Sequence, residues 1–213
     1  MKIALMGGTF NPIHLGHLRV AEEVRERLEL DKVIFMPTFL TPHKADEMVI
    51  PAAMRLEMVR AAIEGNPFFE ASDMEIRRGG RSFTIETLRE LKSSDPDMEI
   101  TLIIGNDSFN DITTWCEYEV LFDLAGFAVV TRPGYAVKKP GEVLPVELAA
   151  KFWYDPEAGS YRNSSGNSLT YIFATLLEIS SSDIRTRVKE GLSIRYLLPE
   201  PVAGYIAKKG LYK

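Results

Sequence analysis

The chain has 213 residues, 25 Lys and Arg against 30 Asp and Glu, a net charge of −5, three histidines and one cysteine. At roughly 150 residues per domain this length gives one domain burying about 70% of its unfolded surface, and the lone Cys116 excludes an internal disulfide and a cysteine-rich zinc framework. The acidic balance argues against a surface that neutralises many nucleic-acid phosphates, and no apolar run approaches the ~20 residues of a membrane span, so a cytoplasmic protein with single nucleotides as possible ligands is expected.

Lys2-Ile-Ala-Leu-Met6, closed by Gly7-Gly8, reads as a buried strand and a turn. Leu18, Ala21, Val24 and Leu28 then recur at helical spacing. Val33 to Met36 forms a second strand stopped by Pro37, and Leu56, Val59 and Ile63 mark a helix that ends at Gly65. A weaker strand at Phe68 to Ala71, a helix with Ile85, Leu88 and Leu91, and strands at Ile100 to Ile104 and Ala125 to Thr131 continue the alternation. This predicts an α/β fold, a Rossmann-like doubly wound parallel sheet in a single domain spanning 1–213. Ligands of such sheets lie outside the carboxyl ends of the strands, where Gly7-Gly8, Pro37, Gly105-Asn-Asp107 and Arg132-Pro-Gly134 fall. From about 135 to 168, three prolines and the polar stretch Ser160 to Ser168 predict a loop-rich insertion with one helix near Val146 to Phe152. Leu169 to Ile179 returns to a strand. Ser181 and Ser182 then read as the N-cap of a helix carrying Ile184 and Val188, and Pro199 to Lys209 as a final helix stopped by Gly210.

All three histidines lie in the first 43 residues, and two form His14-Leu-Gly-His17 just after Gly7-Gly8-Thr9-Phe10-Asn11-Pro12. Three readings are open. The glycines can make a turn while the histidines cap a helix. The pair can join His43 at a zinc ion, although His14 and His17 stand three apart in a Gly- and Pro-containing segment. The segment can also handle phosphate: glycines let the backbone approach an anion, the helix start aims its N–H groups and positive dipole end at the same point, and two imidazoles add donors.

Gly8-Thr-Phe-Asn-Pro-Ile-His-Leu-Gly-His17 resembles the H-x-G-H signature of α/β nucleotidyltransferases, which transfer a nucleotidyl group from a nucleoside triphosphate and release pyrophosphate. Ile179-Ser-Ser-Ser-Asp-Ile-Arg185 is similar to the superfamily's I-S-S-T-x-I-R segment, with Ser182 in place of threonine. Thr41-Pro-His-Lys44, the stretch from Asp73 to Thr84 leading into Thr87-Leu88, and Ile104-Gly-Asn-Asp107 with Trp115 following resemble the bacterial nicotinate-mononucleotide adenylyltransferase family in particular. So does the ending from Tyr196 to Tyr212. Departures are Thr41 where that family usually has proline, Cys116 where an aromatic often follows the tryptophan, and the long segment from about 135 to 168.

The resemblance implies adenylyl transfer from ATP to nicotinate mononucleotide, a step of NAD biosynthesis, by in-line attack of the 5′-phosphate on the α-phosphorus. It implies His14, His17 and Arg185 as catalytic residues, and places Gly8, Thr9, Phe10, Gly16, His17, Gly105, Asp107, Ser181, Ser182, Ile184 and Arg185 around ATP. Lys44, Thr84, Asp107, Trp115, Cys116 and Arg132 would surround the mononucleotide, and Mg²⁺ would be bound through the ATP phosphates. The implied partners are the two small substrates, without nucleic acid or membrane; a homo-oligomer stays open. Trp115 can alternatively be core beside Ile112, and Arg77, Arg78 and Arg81 read as a solvated basic loop. Two competing functions remain. A phosphopantetheine adenylyltransferase would leave the Thr84 and Trp115 segments no ring to hold, and a nucleotide sensor without turnover would not need the donors His14, His17 and Arg185.

Overall fold

Short β-branched runs alternating with helices that carry one apolar face leave the chain little choice but to stack in layers. The computed structural model describes residues 1–40, 49–131, 134–175 and 177–213. Strands span Lys2–Gly8 (β1), Lys32–Pro37 (β2), Phe69–Ala71 (β3), Glu99–Gly105 (β4), Gly126–Val130 (β5), Phe152–Asp155 (β6), Ser160–Asn163 (β7) and Ser168–Ile172 (β8). Helices span Leu15–Arg27 (α1), Ala52–Ile63 (α2), Met74–Arg78 (α3), Thr84–Ser94 (α4), Asn106–Asn110 (α5), Tyr118–Leu124 (α6), Pro140–Val143 (α7), Val146–Ala149 (α8), Ser181–Lys189 (α9) and Glu200–Lys209 (α10). Among the described residues no helix is long and apolar enough to cross a membrane.

The strands form one sheet in the order β3-β2-β1-β4-β5-β8-β7-β6. Pairing is parallel from β3 to β8. It turns antiparallel through β7 and β6. Period-two alternation sends Ile3, Leu5, Ile34 and Met36 into a core layered with α4 and α6. Ala4, Val33 and Phe35 enter a second core with α1, α2, α9 and α10. With both faces covered, central strands read as continuous apolar runs, as β5 does with all five residues buried. Each fully buried aliphatic or aromatic chain there stabilises by about 1.5–3 kcal/mol relative to exposure.

Three expectations need correction. In the segment from about 135 to 168, besides α7 and α8, the β6–β7 hairpin extends the sheet, and the helix expected at Val146 to Phe152 stops at Ala149. Phe152-Trp-Tyr-Asp155 becomes a strand because aromatics pack across it, with Phe152 edge-on to Phe122 at 5.4 Å and Tyr154 against Tyr161 at 5.3 Å. The strand expected over Leu169 to Ile179 ends at Ile172, where its pairing with β5 ends at Val130↔Ile172. Arg78 is no solvated loop residue. On α3, with 22% of its side chain exposed, it faces Glu75, Glu86 and Glu90, and its Nη2 donates to Thr87 Oγ1 at 2.8 Å.

Candidate active site

The order in which strands are added reverses between the parallel neighbours β1 and β4, since β2 and β3 build outward on one side and β5 on the other. Crevices open at such points. Here the β1–β4 ladder stops at Leu5↔Leu102, whereas β1 keeps pairing with β2 as far as Gly8↔Pro37. The last residues of β1 therefore run on unpaired with β4, β1 ending at Gly8 and β4 at Gly105.

From Gly8 the chain passes through Thr9 and Phe10, whose φ of 47° turns its ring inward onto Phe35 at 5.9 Å and against the edge of His17 at 5.2 Å. The Asn11-Pro12 bond is cis. His14 is extended (φ −146°) and caps α1. Its backbone N–H donates to His17 Nδ1 at 3.2 Å. A ring nitrogen that accepts carries no proton, which assigns the proton to Nε2 and makes that atom a donor. The imidazoles stack with centroids 3.7 Å apart and planes 28° apart. Gly16 permits this stack, because a Cβ there would lie 3.1 Å from the His14 ring atoms Cε1 and Nδ1. Gly16→Ala is therefore expected to displace the pair and cut kcat about 10-fold or more, while the melting temperature moves by only a few degrees; steady-state kinetics with a thermal melt read both.

A second arm reaches the same turn from the C-terminal side. Ser180, rather than Ser181 or Ser182, caps α9: its Oγ accepts from Asp183 N at 3.0 Å. Ser181 is free of the cap and donates its hydroxyl to the Pro12 carbonyl at 2.8 Å. Arg185 Nη1 donates to the Asn11 carbonyl at 3.0 Å, and Nη2 to Ser182 Oγ at 3.3 Å. Ile184, fully buried in the second core, fixes the face that α9 presents. His14, His17, Ser181, Ser182 and Arg185 thus converge on one strand end.

Sequence reading missed Arg55. It lies on the buried face of α2 with Ala52, Leu56 and Val59, and only 1% of it is exposed. Its guanidinium donates to four carbonyls: Ile50 from Nε at 3.1 Å, Thr9 from Nη1 at 2.6 Å, and Thr38 and Phe39 from Nη2 at 2.5 and 3.3 Å. Burial pulls its pKa below the usual arginine value, so these carbonyl dipoles are what keep the charge inside. The visible signal is a cation at the apolar spacing of an otherwise hydrophobic helix face.

The other expected residues fall around the β4 side. Gly105 ends β4, and Asp107 sits half-buried in the first turn of α5. Neighbouring Asn106 Nδ2 donates to Tyr135 O at 2.9 Å, tying α5 to the chain beyond β5. Thr84 begins α4, where the Glu86 and Thr87 N–H groups already donate to the Phe83 carbonyl at 3.1 and 3.4 Å, so the amides at the very start of the helix, those of Thr84 and Ile85, are the ones its own backbone does not use. Trp115 follows the 3-10 turn Ile112–Thr114 and packs partly buried against the first core, while the Cys116 thiol is exposed. Glu117 turns the chain left-handed (φ 48°) and grips Arg89 of α4 through two hydrogen bonds of 2.8 and 2.6 Å. Beneath Thr84, buried Glu75 accepts from Thr87 at 2.7 Å, and burial raises its carboxyl pKa. Ser82 joins this support by accepting the Phe39 N–H at 2.9 Å. His43, Lys44 and Arg132 lie outside the described residues.

A family model described as cytidylyltransferase-like matches residues 5–187, and the chain belongs to that family of nucleotidyltransferases. The "Probable nicotinate-nucleotide adenylyltransferase" of Citrifermentans bemidjiense is 50% identical over 212 residues, covering 100% of this chain and 98% of the relative. One of the same name from Geobacter sp. strain M21 matches equally. Within the family the chain groups with these nicotinate-nucleotide adenylyltransferases. The solved structure of Plasmodium falciparum nicotinic acid mononucleotide adenylyltransferase complexed with NaAD shares the fold, with a TM-score of 0.72 at 19% identity over 99% of this chain and 97% of that one.

Proposed function

We propose that this protein transfers the adenylyl group of ATP to nicotinate mononucleotide, giving nicotinate adenine dinucleotide and pyrophosphate. The carrying observation is the convergence of two stacked imidazoles, a capped helix start and Arg185 on the crevice between β1 and β4, in a chain half-identical to enzymes of that name. An oxygen of the mononucleotide's 5′-phosphate attacks the α-phosphorus, and the bond from that phosphorus to the bridging oxygen of pyrophosphate breaks. The attacking phosphate is already anionic, so no general base is required. What the protein must supply is alignment and donors for charge on the phosphoryl oxygens.

His17, through Nε2–H, and His14 serve the triphosphate over the turn of Gly8, Thr9 and Phe10, with Gly16 at the start of α1. Arg185, with Ser181, Ser182 and Ile184 shaping its helix, holds the leaving phosphates. Gly105 and Asp107 border both substrates. On the acceptor side, Trp115 stacks on the pyridine ring, amides near Thr84 and Cys116 bind its carboxylate, and Lys44 and Arg132 meet its phosphate. Mg²⁺ would be carried by the ATP phosphates rather than by a cage of protein ligands. Bound there, it would neutralise triphosphate charge. A cytoplasmic setting suits both substrates.

Pyrophosphate release is measured with nicotinate mononucleotide, its amide and phosphopantetheine as acceptors. Backbone donors favour a carboxylate over an amide whose NH₂ finds no acceptor, so kcat/KM for the acid should exceed that for the amide by about 10²-fold or more. Cys116→Ala, which keeps its N–H, should preserve that ratio, whereas Trp115→Ala should weaken both acceptors. Equal use of acid and amide would refute the backbone-donor account. Turnover of phosphopantetheine alone would overturn the assignment.

Arg185→Ala should raise KM for ATP and lower kcat together. Arg78→Ala provides the contrast, because its carboxylate partners and Thr87 contact belong to α3 and α4 and its loss should register as a lower melting temperature. If the two variants lose activity alike, the arm from Ser180 to Arg185 is structural only.

A further inference from the structure

The second core contains a tyrosine whose hydroxyl is spent on the phosphate-side turn. Gly210 ends α10 with φ 62°, a left-handed turn suited to glycine, and the Leu211 N–H returns to the Ile206 carbonyl at 3.1 Å. This folds Tyr212 inward, leaving 8% of it exposed, among Phe10, Ile13, Ile184, Val202 and Ile206. Its hydroxyl donates to Asn11 Oδ1 at 2.8 Å. Asn11, 3% exposed, is thereby gripped twice, since its own carbonyl accepts from Arg185 Nη1 at 3.0 Å. The next carbonyl, that of Pro12, takes Ser181.

From this chain of contacts we infer that Tyr212 is a positioning residue for adenylyl transfer: through Asn11 it sets the turn that carries His14 and aims Arg185. The inference rests on the function proposed above. An apolar ring of the same shape would fill the core equally well, so what needs explaining is the hydroxyl. A buried phenol needs a partner. The one it has is the side chain whose backbone anchors the phosphate-holding arginine. Burial pushes the phenol's pKa up, against the weaker opposing pull of Arg185 and Arg55, so the group remains a neutral donor at any working pH. Asn11 is thus held in one orientation, with Oδ1 toward Tyr212 and its carbonyl toward Arg185. Removing the hydroxyl takes away the bond that ties Asn11 Oδ1 to the second core, which loosens the turn and shifts the Arg185 anchor without touching either substrate.

The test uses Tyr212→Phe, which keeps the ring and the packing. Relative to wild type, kcat should fall about 10-fold and the ATP dissociation constant, measured by calorimetry without acceptor, should rise about 3- to 10-fold. KM for nicotinate mononucleotide should stay within about twofold, and the melting temperature should drop by only a few degrees. A role confined to packing would lower the melting temperature alone, and unchanged kcat and ATP affinity would overturn the inference. Asn11→Ala and the double variant complete a cycle: adding Tyr212→Phe to Asn11→Ala should cost nothing further, and multiplicative losses would equally overturn it. If wild type binds ATP but turns over none of the three acceptors, the proposed function fails, and the ATP affinities of the same variants decide the role of Tyr212.

Discussion

Replacing His17 with alanine is expected to lower kcat by roughly 10²- to 10³-fold while KM for nicotinate mononucleotide stays within about twofold. The magnitude is that of losing one preorganised donor to a developing phosphoryl charge. Preorganisation is visible in the geometry: the His14 N–H fixes the tautomer, the His14 ring lies flat against one side, and the Phe10 edge closes another. On the proposed mechanism, a ring so held needs no reorientation as charge develops on the phosphoryl oxygens. The same substitution removes a partner of the α1 cap, for which about 1 kcal/mol of stability is the expected loss. Kinetics are therefore measured well below the variant's melting temperature. A variant within a few-fold of wild type would strike His17 from the catalytic residues.

Arg55→Leu is expected to bring the largest loss of stability, about 3–5 kcal/mol, or on the order of 10 °C in melting temperature for a chain of this size. Leucine fills much of the space but satisfies none of the carbonyls of Thr9, Thr38, Phe39 and Ile50, which the guanidinium now joins from Nε, Nη1 and Nη2. Arg55→Lys retains the charge as a single point and cannot span that fork, so it should recover only part of the loss. Because Thr9 lies in the turn between β1 and α1 and Thr38 follows β2, residual activity should fall in both variants even after refolding. Denaturant titration measures the stability change, and a Leu variant as stable as wild type would show the four contacts to be incidental.

Much of this fold is legible in the sequence because local and global signals agree. β1, its glycines and α1 form one uninterrupted pattern of apolar run, turn and helical repeat, and the H-x-G-H residues sit where that pattern places a ligand. The β6–β7 hairpin is less legible: four-residue strands bounded by Pro156, Gly159 and Gly166 look like loop until tertiary partners such as Phe122 are present. Ser180, Ser181 and Ser182 are chemically alike, and only the chain path decides which caps and which reaches Pro12. Arg55 and Arg78 mislead in the same way. Charge on a helix normally marks the solvent face, and apart from Ile50 near Arg55 and Glu75 near Arg78 their partners lie well away along the chain, with Thr9, Thr38 and Phe39 at one and Glu86 and Glu90 at the other.

The contacts that complete the phosphate-side turn come from far along the chain: Ser181 is 169 residues from Pro12, Arg185 is 174 from Asn11, and Tyr212 is 201 from Asn11. Such separations must be closed against a large loss of chain entropy, and they order events during biosynthesis. At about 5–20 residues per second on the ribosome, β1 and α1 emerge many seconds before the groups that pin their connecting turn. The nascent chain can pair β1 with β2 early, but the turn between β1 and α1 lacks its distant contacts until the last helix has docked. If the site is the one proposed, competence to bind nucleotide arrives late, with the closing of the second core, and ATP added to refolding chains should accelerate none of the earlier steps.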